Sequence, residues 1–271
     1  MPMIVRKLAV FTREQALSCL FPGVIFASLA VTKLFEVPGL PRYDLLLLIC
    51  IGMQVLMVAA KLETRDELRV ITCFHIIGTA LELFKVQAGS WSYPEEGWTK
   101  LFGVPLYAGF MYASVASYIC QAWRRMRLAI DGWPPSWLAA GIAGALYLNF
   151  YTHHYMMDLR WVLLAVMLLA FRRTWVRYTV DGTPLRMPMT VAFGLIAFFV
   201  WIGENIGTLL GAWQYPNQVH AWQLVHWGKL SSWFVLVSLS VILVGQLKRV
   251  KSKLGGSEAS APAAVKATKS L

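Results

Sequence analysis

Charge is what this sequence has least of. Asp, Glu, Lys and Arg make up 14% of its 271 residues, against roughly 25% in a soluble domain. That shortage excludes an ordinary water-facing surface. Acidic residues are scarcer still, 14 against 25 Lys and Arg, which leaves a net charge of +11. Cysteine is sparse, and Cys19, Cys50, Cys73 and Cys120 stand far apart in apolar stretches. No C-x-x-C pair or zinc-ligand spacing occurs, which excludes a thiol redox motif and a zinc ribbon. The H-x-x-x-H and H-E-x-x-H spacings are missing too, so His-box metal chemistry lacks its ligand pattern.

What fills the chain instead is apolar. Hydrophobic residues reach 58% and the mean hydropathy is +0.56. Crossing a bilayer takes about 20 apolar residues, and stretches of this kind recur. Eight segments are expected to span: about Ala16–Phe35, Tyr43–Ala60, Glu67–Val86, Val104–Trp123, Pro135–Tyr151, Met157–Phe171, Met187–Leu210 and Lys229–Leu247. A basic lead over 1–13 precedes the first. Thr12-Arg13-Glu14-Gln15 interrupts any signal-peptide core, so the first span is expected to be retained. The Gly-, Ser- and Ala-rich stretch 255–271 is expected to be a disordered cytoplasmic tail. With both termini cytoplasmic, the outer segments hold only Lys33, Arg42, Lys85, Lys100, Arg160 and Lys229, and the other 19 basic residues lie inside. This positive-inside bias accounts for the net charge without nucleic acid, and it predicts a multi-pass protein of the bacterial inner membrane.

One pattern organises the chain. Glu82 to Pro94 reads Glu-Leu-Phe-Lys-Val-Gln-Ala-Gly-Ser-Trp-Ser-Tyr-Pro, and Glu204 to Pro216 reads Glu-Asn-Ile-Gly-Thr-Leu-Leu-Gly-Ala-Trp-Gln-Tyr-Pro. Glu82/Glu204, Gly89/Gly211, Trp91/Trp213, Tyr93/Tyr215 and Pro94/Pro216 all match at an offset of 122 residues. Each copy follows the third expected span of its half. The reading is therefore an all-α polytopic membrane protein in a single domain over 1–254. It consists of two parallel four-helix repeats, about 14–127 and 134–250, related by an axis along the membrane normal.

The candidate catalytic residues follow from the repeat. A carboxylate in a span costs on the order of 3 kcal/mol at the centre, and Glu82 and Glu204 sit near helix ends where snorkelling lowers that cost. Two carboxylates in different surroundings can divide acid and base roles. His75 lies two helical turns before Glu82 on the same face, with Thr79 between them, and is a third candidate. Lys85, three residues after Glu82, is expected to form an ion pair with it. Trp91, Tyr93, Trp213, Tyr215 and Asn205 are candidate substrate-binding residues, although interfacial aromatics also serve as plain membrane anchors. His153, His154, Asp158, His220 and His226 collect on the same expected face and are lesser candidates as metal ligands. No pattern in the sequence names a cofactor or a protein partner.

Four stretches carry a family likeness. They are Phe-Lys-Val-Gln-Ala-Gly-Ser-Trp-Ser-Tyr-Pro-Glu from Phe84, Gly-Val-Pro-Leu-Tyr-Ala-Gly-Phe-Met-Tyr-Ala-Ser-Val from Gly103, Asn-Phe-Tyr-Thr-His-His-Tyr from Asn149, and Gly-Ala-Trp-Gln-Tyr-Pro-Asn-Gln from Gly211. These resemble the YoaT-like family of bacterial integral membrane proteins, a domain of unknown function. The resemblance implies an inner-membrane location and no particular activity. A fainter architectural likeness is to the small membrane-bound lycopene cyclases, through the aromatic turn and Gly103-Val104-Pro105-Leu106. Those enzymes carry acidic residues after Pro-Leu, where this chain has Tyr107-Ala108, so the likeness implies shared architecture and not the same reaction. Three function classes follow: an enzyme acting on a membrane-dissolved lipid or isoprenoid, a transporter of small solutes or ions, and a non-catalytic membrane scaffold.

Overall fold

A computed structural model describes residues 3–259, with side chains described through Gln246. The chain is mostly helical. Among the described residues α1 is Met3–Ser18, α2 Leu20–Leu34, α3 Arg42–Ala59, α4 Arg65–Gln87, α5 Tyr107–Arg125, α6 Ser136–Thr152, α7 Arg160–Phe171, α8 Met189–Leu209 and α9 Lys229–Ala259. The second to eighth expected spans each overlap one helix, and the first crosses the break between α1 and α2. The basic lead is itself helical, and α1 meets α2 at Cys19 with a bend of 69°. The expected tail lies outside the described residues from residue 260 onward, and α9 continues to Ala259.

Length and composition separate these helices. Four are long and apolar enough to cross a membrane: α3, α4, α8 and the Lys229–Gln246 part of α9. The bent pair α1–α2 makes a fifth if it counts as one span. α7 has 12 residues, about 18 Å of helix, short of the hydrocarbon thickness of about 30 Å. The long helices bury one face and leave Leu48, Val55, Ile76, Phe199 and Leu209 outward. Exposed apolar faces of that kind suit a lipid environment.

Local sequence explains where the helices begin. Thr64 opens α4 with a capping box: its Oγ1 accepts from the Glu67 N–H at 3.2 Å, and Glu67 Oε2 accepts from the Thr64 N–H at 2.9 Å. Pro41, Pro135 and Pro188 stand just before α3, α6 and α8, where a residue without an N–H costs nothing.

Five short strands amend the all-α expectation. β1 (Lys100–Leu101) and β2 (Val104–Pro105) form a small hairpin between α4 and α5. β3 (Ala129–Asp131), β4 (Trp175–Val180) and β5 (Thr183–Pro188) make an antiparallel sheet in the order β3-β4-β5. The segment joining the sixth and seventh expected spans carries this β4–β5 hairpin. Its turn is Asp181-Gly182, both left-handed at φ 49° and 72°, the conformation that matches strand twist in a two-residue hairpin. Arg6 on α1 reaches Asp181 at 2.9 Å, which ties the helical lead to the sheet.

Helices α4 and α5 approach closely because both are glycine-bearing at the contact. A Cβ at Gly109 would stand 2.2 Å from Thr79 Oγ1, and one at Gly78 would stand 2.3 Å from Tyr112 Cγ. Small residues of this kind let helix backbones meet in a membrane. One buried cluster, including Phe21, Leu29, Tyr43 and Tyr107, reaches the aromatic turns through Trp213 and Tyr215. A second, including Ile71, Leu146, Phe171, Phe193 and Ile242, joins α4 and α5 to the later helices.

Candidate functional site

The two repeated turns have the same backbone. α4 and α8 each end before a left-handed glycine, Gly89 at φ +69° and Gly211 at φ +72°. In both, the next residue bonds back to the helix: Ser90 N–H to the Lys85 carbonyl, and Ala212 N–H to the Gly207 carbonyl, each 2.9 Å. This is the glycine C-cap, and it needs a residue free of a Cβ penalty. The turns then pair with each other. Ser92 N–H donates to the Gln214 carbonyl at 3.0 Å, and Gln214 N–H donates to the Ser92 carbonyl at 2.9 Å. Tyr107 adds a cross-tie, donating its hydroxyl to the Ala212 carbonyl at 2.8 Å.

This pairing brings two buried carboxylates to one interface. Glu82 and Glu204 are each 3% exposed. Glu82 accepts from Trp91 Nε1 at 2.7 Å, Tyr93 hydroxyl at 2.8 Å and Tyr112 hydroxyl at 2.8 Å. Glu204 accepts from the Tyr215 hydroxyl and from Trp233 Nε1 at 2.6 Å. At each carboxylate the tyrosine of the adjacent turn donates, with Trp91 beside it at Glu82, and a further donor comes from the helix that follows, α5 or α9. Charge-assisted bonds are roughly twice as strong as neutral ones, which offsets the desolvation of a buried carboxylate. Burial, and then the neighbouring carboxylate, push the Tyr93 and Tyr215 phenols well above their ordinary value, so both remain hydrogen-bond donors.

Lys229, at the start of α9, stands between the halves. Its Nζ lies 5.1 Å from the Trp91 ring centroid and 4.4 Å from that of Tyr215, within cation–π range. It is attracted to both carboxylates, to Glu204 more than to Glu82. The rings of Trp91 and Tyr215 meet edge to face at 6.0 Å. One cation thus lies beside two acids, and the two sites differ: three side-chain donors hold Glu82 and two hold Glu204.

Other candidates hold the walls. Asn205 donates to the Trp201 carbonyl and accepts from the Val225 N–H, both at 2.8 Å, which fixes the loop before α9. Trp213 does not copy Trp91. Its indole packs on Gly207, where an added Cβ would lie 2.6 Å from the ring. His75 is half-buried against Phe110, ring centroids 4.5 Å apart. Its buried Nδ1 faces the Gly109 backbone without a well-formed hydrogen bond among the described residues.

Lys85 corrects an expectation. It does not pair with Glu82, whose oxygens are occupied by three aromatic donors. Its Nζ lies 3.3 Å from His153 Nε2 and 3.0 Å from His154 Nε2. The tautomer of His153 follows from chemistry. Nδ1 lies 2.8 Å from the Asn149 carbonyl, which can only accept, so Nδ1 carries the proton and Nε2 accepts from the lysine. Burial, foremost, lowers the affinity of both imidazoles for a second proton, and Lys85 lowers it further. Asp158 pairs with Arg160 at 3.0 Å. His220 and His226 are exposed in the loop before α9. Among the described residues no three His, Cys, Asp or Glu side chains converge as a metal site.

Sequence reading missed three members: Tyr112, Trp233 and Lys229. The repeat could not supply them. Tyr112 lies 30 residues after Glu82 and Trp233 lies 29 after Glu204, so the 122-residue offset pairs Tyr112 with Phe234 instead.

A B. subtilis (strain 168) relative, "Uncharacterized protein YoaT", is 58% identical over 249 residues, covering 92% of this chain and 94% of that protein. A solved structure of a cross-linked MvINS trimer aligns with 67% of this chain and 93% of its own, at a TM-score of 0.48 and 12% identity. The family described as "Protein of unknown function (DUF817)" matches residues 7–241. The chain belongs to that family.

Proposed function

We propose that the protein acts on a membrane-dissolved lipid or isoprenoid through acid/base chemistry at Glu82 and Glu204. The observation that carries this reading is Lys229, held over Trp91 and Tyr215 and drawn to both carboxylates. Glu82, saturated by three donors, serves as the fixed anion that stabilises developing positive charge. Glu204, held by two donors instead of three, exchanges the proton. Trp91, Tyr93 and Tyr215 shape the apolar walls. His75 stands two turns deeper along α4. The setting is a bacterial inner membrane crossed eight times by two parallel four-helix repeats. In that arrangement both termini are cytoplasmic and the paired turns face outward, which supports a substrate reached from the outer leaflet. α7 then crosses as a short segment where the bilayer is locally thinned.

The test is lipid and pigment profiling of a deletion strain complemented with wild type, Glu82→Gln or Glu204→Gln at matched membrane levels. Wild type restores the profile. Each Gln variant lowers the rate of restoration by about a hundredfold, the scale of a lost acid/base group. An unchanged profile on deletion, under conditions where the protein is present in wild-type membranes, contradicts the enzyme reading. Equal restoration by both variants places the protein among scaffolds.

A carrier is the second reading, favoured by His75 with its poorly bonded Nδ1 on the same helix as Glu82. Solute flux into proteoliposomes that Glu82→Gln abolishes would support it.

A further inference from the structure

The six basic residues of the expected outer segments fall into two groups. Arg42 and Lys33 flank Gly211, and Lys100 donates to the Tyr93 and Glu95 carbonyls at 2.9 Å each. Lys85, Arg160 and Lys229 form a second group. Lys85 reaches His153 and His154 at the end of α6, where Asn149 donates to Asp158, the partner of Arg160, and Arg160 reaches Ser232, three residues after Lys229 on α9. Three cations therefore converge from α4, α7 and α9.

Their counter-charge is incomplete. Asp158 pairs with Arg160. Lys229 feels Glu204 and Glu82 only at longer range, without a contact ion pair among the described residues. Lys85 donates to two neutral imidazoles instead of a carboxylate. Arg160 Nη1 also lies 2.9 Å from the Ser232 hydroxyl and 3.5 Å from that of Ser231. Gathering three cations in a poorly solvated place costs energy unless an anion joins them. Two of the three are lysines with rotatable donors, the third is a guanidinium fork, and hydroxyls stand beside it. Those are the donors that suit a tetrahedral oxyanion of two charges. Next to Arg160, α7 presents Trp161 and Val162, 65% and 60% exposed, an apolar strip on which an acyl or prenyl chain can lie.

We propose that Lys85, Arg160 and Lys229 bind a phosphate group, presented by a lipid headgroup or by a free phosphate compound. This goes beyond the acid/base reading and does not depend on it.

The experiment is titration of the purified full chain in uncharged detergent, following its melting temperature. The probes are dioctanoyl phosphatidylglycerol, dioctanoyl phosphatidylcholine and inorganic phosphate. Saturable stabilisation by phosphatidylglycerol, with Kd raised about tenfold by Lys85→Gln or Arg160→Gln and largely kept by Arg160→Lys, supports a lipid source. Tighter saturation by inorganic phosphate, weakened in the same variants, supports a free phosphate source. Using both Lys85→Gln and Arg160→Gln keeps the test open if one variant fails to fold. Equal responses to phosphatidylglycerol and phosphatidylcholine with no response to phosphate, or binding unchanged in every folded variant, would overturn the proposal. Glu82→Gln, which disables the acid/base site, retains phosphatidylglycerol binding, so failure of one proposal is distinguishable from failure of the other.

Discussion

Arg42→Met is expected to be among the most damaging single changes in the chain. Arg42 stands at the start of α3 with its side chain 11% exposed. Its Nε donates to Thr32 Oγ1 at 3.1 Å, and Nη1 donates to Glu95 at 2.6 Å. Nη2 donates to the Leu29 carbonyl at 3.0 Å and the Leu210 carbonyl at 2.9 Å. One guanidinium therefore binds a carbonyl in the second half of α2 and another just past the end of α8, where a cation complements the macrodipole. Methionine fills similar volume and supplies no donor. It leaves Glu95 unpaired and the carbonyls without their cation, a loss of about 3–5 kcal/mol by analogy with broken buried pairs. For a chain of this size that lowers the melting temperature by roughly 10 °C. Arg42→Lys keeps the charge and loses the fork, so it recovers less than half. Differential scanning fluorimetry of the detergent-solubilised protein reads both. A methionine variant that melts with wild type would remove Arg42 from the account of how the halves are tied.

Gly78→Ala is expected to damage stability and the site together. Alanine alone favours a helix over glycine by about 1 kcal/mol. At Gly78 its Cβ would meet Tyr112 at 2.3 Å and 2.6 Å, and both atoms belong to the inner part of that side chain, which cannot swing clear. Overpacking costs about 1–3 kcal/mol. Displacing the Tyr112 hydroxyl also takes one of three donors from Glu82, about 1–3 kcal/mol more. The penalties win, by about 2–4 kcal/mol in sum. Gly144→Ala in α6, with nothing within 4 Å of an added Cβ, keeps the helical gain and meets no clash. Melting temperatures of opposite sign for the two variants are the expected outcome. A Gly78→Ala protein as stable as wild type would mean that α4 and α5 are not in contact there.

The sequence was most legible where chemistry repeats. An offset of 122 residues identified both carboxylates, both glycine caps and both tyrosines, and each of those pairs plays the same local role. It was less legible where the copies diverge. Trp213 matches Trp91 in position yet packs on Gly207, a residue whose counterpart is Lys85. Lys85 shares a face with Glu82, but spacing along a helix says nothing of what already fills the carboxylate's lone pairs. Tyr112 and Trp233 come from helices that fold back onto the site, and only tertiary packing fixes which of their residues arrives. The β4–β5 hairpin had a readable signal in Asp181-Gly182 between β-branched runs.

The pairing of the two turns through Ser92 and Gln214 sets Glu82 and Glu204 around Lys229. Cross-linking tests it most directly. Ser92 and Gln214 are opposed in a hydrogen-bonded antiparallel bridge, a geometry with Cα atoms about 5.5 Å apart, inside the range a disulfide accepts. In a background with Cys19, Cys50, Cys73 and Cys120 replaced by serine or alanine, Ser92→Cys with Gln214→Cys is predicted to oxidise readily in membranes. After cleavage at a protease site inserted between α5 and α6, the two fragments then stay joined until reduced. Fragments that separate without reductant, as in the single-cysteine controls, would contradict the pairing and with it the shared site.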